Sequence, residues 1–116
     1  MSRIPFELST NLSHTWIVDL DGTILKCNYP PYDNDELLPG VKELWAEIPS
    51  DDYILIMTAR DESNRASALA LLDREGLRYN HAIFGVEHGE RIVLNDIKPQ
   101  GLHCAIAWNI PRDQGF

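Results

Sequence analysis

Lysine is scarce in this chain. Only Lys26, Lys42 and Lys98 occur in 116 residues, and none lies between Thr58 and Asp96. Lys and Arg together number 10 against 18 Asp and Glu, a formal net charge of -8. Such an acidic surface works against nucleic-acid backbones and anionic membranes as partners. Cysteine is nearly absent: Cys27 and Cys104 lie far apart with no C-x-x-C spacing, which fits a reducing compartment and thiols that are packed or idle. His14, His81, His88 and His103 show no metal-ligand spacing and read as structural or surface residues. No run of about eighteen apolar residues exists, and Met1-Ser2-Arg3 leads into no apolar signal-like stretch, so the expected location is cytoplasmic. Repeats, linkers and low-complexity segments are missing too. What remains is ordinary globular composition, 44% hydrophobic and 24% charged, in one domain (1–116) just large enough for a single two- or three-layer core.

The most informative stretch is Trp16-Ile17-Val18-Asp19-Leu20-Asp21-Gly22-Thr23. An apolar run that stops at Asp-x-Asp-Gly reads as a buried strand, here 15–20, ending in a tight turn. In open α/β sheets that is the end where ligands bind. Residues 1–13 form an arm without usable signal, and 24–38 a flap whose turn-rich portion around Pro30-Pro31 cannot be a regular helix. Val41, Leu44, Trp45 and Ile48 recur at helical spacing until Pro49. Residues 53–57 are a continuous apolar strand running into Thr58-Ala59-Arg60, and a second helix is expected over 62–75 with Gly76 at its C-terminal cap. Further strands are expected over 81–84, 91–94 (ending at Asn95-Asp96) and 103–110, with a turn at 98–101 and a tail at 111–116. Alternating strands and helices point to a three-layer α/β domain with a mainly parallel sheet.

In such a sheet the strand ends share one edge, so Asp19, Asp21, Thr58 and Asp96 are expected to converge there. Three carboxylates and a hydroxyl suit a hard divalent cation such as Mg²⁺. Two carboxylates that close need a cation, a shared proton or hydrogen-bond donors to compensate their repulsion. A phosphoryl group brought to such an ion would have its own charge offset.

Asp19-Leu20-Asp21-Gly22-Thr23, the strand ending in Thr58 and the late strand ending in Asp96 together resemble the haloacid dehalogenase superfamily, over about residues 15–110. The resemblance implies a Rossmann-like fold and a phosphatase. Asp19 matches the nucleophile that becomes a phospho-aspartate, and Asp21 the general acid and base. Mg²⁺ would be held by Asp19, the Asp21 main-chain carbonyl and Asp96. Thr58 matches the hydroxyl that holds the phosphoryl group, assisted by the main chain at Leu20 and by Ala59 and Arg60. The family's lysine usually precedes the late Asp. Here Lys98, two residues beyond Asp96, is the candidate for that catalytic charge, with Arg60 the second. Asn95-Asp96 stands where many members have Gly-Asp, and positions 97–101 hold no further acid.

The intervals between motifs leave no room for a cap domain, so the site is expected to be open or closed by another subunit of a homo-oligomer. The compact form with Asn-Asp-x-Lys-Pro is similar to members assigned to capsule or surface-polysaccharide biosynthesis, which implies a sugar phosphate or similar small phosphorylated substrate. Three other readings stay open: a non-catalytic phosphate-binding module, a protein-binding module, and a phosphatase acting on a macromolecule. Residue by residue the alternatives are plainer. Thr58 can cap the following helix, Asp96 can cap a turn, Lys98 can be a solvated charge, and Arg60-Asp61 can be an exposed pair.

Overall fold

A computed structural model describes residues 2–116. Three parallel strands in the order β1-β2-β3 form the sheet: β1 (Thr15–Val18), β2 (Tyr53–Met57) and β3 (His81–Ile83). The register runs Thr15 opposite Tyr53 to Val18 opposite Ile56, and Leu55 opposite His81 to Met57 opposite Ile83. Parallel neighbours need long crossovers, and helices supply them. The β1-to-β2 connection contains α1 (Val41–Glu47), and the β2-to-β3 connection contains α2 (Arg65–Arg74). The chain is thus a small α/β unit with two helices on a parallel sheet.

Local chemistry explains each element. In α1, Val41, Leu44 and Trp45 turn one buried face inward, and the helix stops at Ile48 because Pro49 follows. Gly40 precedes it at φ 80°, where an added Cβ would lie 2.0 Å from the Phe116 carbonyl oxygen, so only glycine fits. Before α2, Asp61 accepts from the Ser63 N–H at 2.8 Å and a single 3-10 turn (Glu62–Asn64) starts the helix. At its end the Gly76 N–H donates to Asp73 and the Leu77 N–H to Leu72, a Schellman closure with Gly76 at φ 73°. The expected cap glycine is therefore in place. The flap is closed at its base: the Lys26 N–H donates to Glu36 and the Leu38 N–H to Ile24.

Ile54 and Ile56 of β2 are fully buried and pack with Leu20, Ile24, Leu25, Val41 and Leu72. Two expectations fail. Residues 91–94 form no strand, and every residue from 87 to 107 is exposed; among the described residues the apolar run has no neighbouring strand to pair with. Residues 103–110 form no strand either, apart from a single bridge between Ile97 and His103 that closes the turn at 98–101. Trp108 returns to the body, edge-on to Phe6 and Phe116. The tail at 111–116 is not loose: the Asp113 N–H donates to the Gly22 carbonyl and the Phe116 N–H to that of Pro39.

Away from the strand ends, Asp52 is 3% exposed and gathers the N-terminal side of β1. Its carboxylate accepts from the His14 main-chain N–H at 2.9 Å and the Trp16 indole N–H at 2.9 Å, and contacts the His14 ring at 2.8 Å. Burial acts to raise its pKa, but the Trp16 and His14 donors outweigh it and hold the carboxyl below the ordinary 3.8. A lowered carboxyl stabilises the fold above the ordinary value, and that contribution disappears as pH falls through the folded one. Asp52→Asn should therefore cost about 2 kcal/mol in urea denaturation at pH 7. The difference from native protein should shrink as pH falls below 4.

No helix among the described residues is long and apolar enough to cross a membrane.

Candidate active site

The turn after β1 is built around one carbonyl. Leu20 is fully buried, and its oxygen accepts from the N–H groups of Thr23, Ile24 and Leu25 at 3.0–3.1 Å. The Gly22 N–H donates to Leu25 at 2.7 Å, with Gly22 at φ 82°, a conformation that asks for glycine. The Arg112 side chain lies against Gly22: a Cβ there would meet Arg112 Cγ at 3.0 Å. Asp-x-Asp-Gly-Thr folds this way because small and turn-forming residues follow directly on a strand.

The turn gives its two carboxylates different neighbours. Asp19 faces Arg91, whose guanidinium lies 3.5 Å from its Oδ1, and the Thr23 hydroxyl donates to Oδ2 over a long 3.4 Å. Burial pushes the Asp19 carboxyl above its ordinary range and the Asp21 charge pushes the same way; Arg91, the Leu20 N–H and Thr23 oppose them. Asp21 instead is held in a fork. Arg60 Nε donates to its Oδ2 at 2.9 Å and Nη2 to its Oδ1 at 2.7 Å. The same guanidinium donates to both oxygens of Asp35 at 2.7 and 3.0 Å and to Asn64 Oδ1 at 2.8 Å, so all five of its N–H groups are engaged. Tyr32 covers its face, 4.0 Å from ring centre to guanidinium carbon. Burial alone would lower the Arg60 pKa; the hydrogen-bonded carboxylates of Asp21 and Asp35 overcome that and raise it.

Thr58 is buried at the end of β2, level with Leu20 by strand register. Its hydroxyl oxygen accepts from the Arg60 N–H at 3.1 Å, which leaves the hydroxyl proton free to donate. Ala59 lies between them, half-buried. Asp19, Leu20, Asp21, Thr58, Ala59 and Arg60 are thus gathered at the carboxyl edge of the sheet.

Asp96 and Lys98 are not. They sit on the exposed 87–107 arm, where Lys98 Nζ donates to Asp96 Oδ1 at 2.7 Å in a solvated pair. The cation beside Asp19 is Arg91, which sequence reasoning overlooked although it opens the apolar run before Asp96. Asp35 and Asn64 were also overlooked, whereas Tyr32, read as flap packing, does pack in the flap, over Arg60. Arg60 is neither an exposed partner of Asp61 nor a free substrate contact, because two carboxylates enclose it. Among the described residues no group of three or more His, Cys, Asp or Glu is placed to hold a metal ion. The oxygen donors at the edge are Asp19 and the Asp21 main-chain carbonyl, which match in kind what Mg²⁺ takes alongside waters and substrate phosphate.

Compared with protein-family models, with curated proteins and with solved structures, the chain gives no match.

Proposed function

We propose that this chain is a Mg²⁺-dependent phosphomonoesterase of haloacid-dehalogenase type. It would use a three-layer core without a cap domain and hydrolyse a sugar phosphate or related small metabolite. The supporting observation is the contrast between its two carboxylates, two residues apart: Asp19 stands unclamped beside one arginine, while Asp21 is fixed from both oxygens by another. That contrast leaves Asp19 accessible to phosphorus and holds Asp21 in one direction, and a reaction at phosphorus depends on such positioning.

In this reading Asp19 Oδ attacks phosphorus while the ester P–O bond breaks, and Asp21 gives its proton to the leaving alkoxide. Water then attacks phosphorus, Asp21 takes the water proton, and the bond to Asp19 breaks to release inorganic phosphate. Each Asp21 oxygen keeps a lone pair beyond the one facing Arg60, so the clamp aims the group without closing it. Thr58 and the Leu20 main chain position the phosphoryl oxygens, and Arg91 supplies the charge expected of Lys98. Bound Mg²⁺ would be held by Asp19 and the Asp21 carbonyl and would offset the phosphoryl charge; Asp96, expected as the third ligand, lies on the distant arm.

The Arg60 clamp and the distant Asp96–Lys98 pair favour a second reading, a module that binds phosphate or a protein without turnover. Phosphate release from a panel of phosphomonoesters, with and without Mg²⁺, separates the two. Metal-dependent release from any member supports the enzyme; none from the whole panel supports the module.

A further inference from the structure

The arm at 87–107 is the least accounted-for part of the molecule. It carries Ile92 (88% exposed), Leu94 (94%), Val93, Ile97, Leu102 and Ile106 into solvent. Contiguous exposed apolar side chains of this kind mark an interaction surface. The same chain has a complementary deficiency. Among the described residues β1 pairs only with β2, so its outer edge presents unpaired main-chain groups, and Ile17 on it is 49% exposed.

The chain's own run cannot readily meet that edge as a parallel strand. Only residues 84–90 separate β3 from Arg91, whereas parallel connections take a dozen or more. The path would cross both β2 and β1, each roughly 4.8 Å wide, and return to the amino end of the sheet. Arg91 instead contacts Asp19 at the carboxyl end. A second copy is under no such restriction.

We propose that two copies of this chain exchange their arms, Arg91–Leu94 of each lying parallel along the free β1 edge of the other. With Leu94 level with Val18, Asn95 and Asp96 fall beside the second copy's Asp19 and Leu20. Each carboxyl edge then gains the acid that its own chain holds at a distance; Arg91, now level with Thr15, gives up its contact with Asp19, and Lys98 of the exchanged arm takes over that charge. The exchange stands on the strand geometry; its catalytic consequence rests on the phosphatase reading. One self-complementary contact used twice closes the pair and blocks further growth.

The experiment starts from a background with Cys27→Ser and Cys104→Ser. Ile17→Cys and Val93→Cys are made in separate chains, mixed and oxidised. Paired strands bring such cysteines within disulfide reach, so a covalent dimer is expected on a non-reducing gel. Native protein should have the mass of two chains by light scattering, and Leu94→Asp, a change at a surface position of the single chain, should have the mass of one. A monomeric native protein overturns the proposal. So does a double variant that closes its disulfide within one chain while the mixture gives no cross-link.

Co-refolding Asp19→Asn with Asp96→Asn tests the shared site, since random pairing of symmetric dimers restores about a quarter of native sites. Recovery of phosphate release supports sharing, and no recovery while native protein turns over refutes it. Absence of turnover in native protein with the cross-link present removes the phosphatase reading and leaves the exchange standing.

Discussion

Asp19→Asn is expected to abolish Mg²⁺-dependent phosphate release, by roughly four to six orders of magnitude in kcat, as when other enzymes lose their nucleophile. The same change should leave the melting temperature unchanged or higher. Asp19 is an acid whose pKa is raised, above all by burial and further by Asp21. For such a group the folded chain holds the proton more tightly than the unfolded chain does. Stability falls as pH rises from the ordinary 3.8 through the folded value, and at neutral pH the charge is a cost. A neutral amide removes that cost and gives up only a partly solvated contact with Arg91, a kind worth little. Lost activity with retained or increased stability is the pattern of a group kept for chemistry rather than for folding. Were Asp19→Asn to lower the melting temperature markedly and spare turnover, Asp19 would be a structural turn residue. The paired measurements are phosphate release under saturating substrate and thermal unfolding at pH 7.

The parts legible in the sequence are those fixed by local chemistry. The 15–20 and 53–57 runs, the Val41-Leu44-Trp45 spacing closed by Pro49, and Gly76 after the second helix all carry their instructions within a few residues. The structure places those elements within a residue or two of the expected bounds. Residues 91–94 carry the same strand signal, yet lie in solvent. Hydrophobicity records that a segment favours burial and says nothing about which surface provides it. The gathering of Asp19, Asp21 and Thr58 was legible because parallel strands align their ends; Asp96 was misplaced because it depended on the unpaired run. Arg60 was misread for another reason. Its partners Asp21 and Asp35 are 39 and 25 residues away, so nothing near it in sequence shows that it is enclosed. Asp113 and Phe116, in what looked like a tail, likewise pack on Gly22 and Pro39 from far along the chain.

Arg60 is where the largest loss of stability is expected. It is 2% exposed and engages every donor it has, on two carboxylates and an amide, beneath the Tyr32 ring. Removing one member of a buried ion pair costs about 3–5 kcal/mol, because the partner charges stay behind without compensation. Arg60→Ala leaves two such charges, Asp21 and Asp35, facing an emptied space. Against a total of roughly 5–15 kcal/mol for a domain, the variant should unfold at much lower urea, or fail to fold. Arg60→Lys keeps the charge and loses the planar fork that grips both carboxylates, so it should retain the fold with a loss between those of native and alanine. Its activity should fall through kcat more than KM, since Arg60 aims Asp21 and does not itself touch substrate. Two observations keep a simple packing role distinct. Asp35→Ala combined with Arg60→Ala should cost less than the sum of the single changes, by about 1–3 kcal/mol, because the pair is coupled. A lysine variant as stable as native and equally active would show that the fork is dispensable. Asp21 would then have no assigned support for its acid and base role.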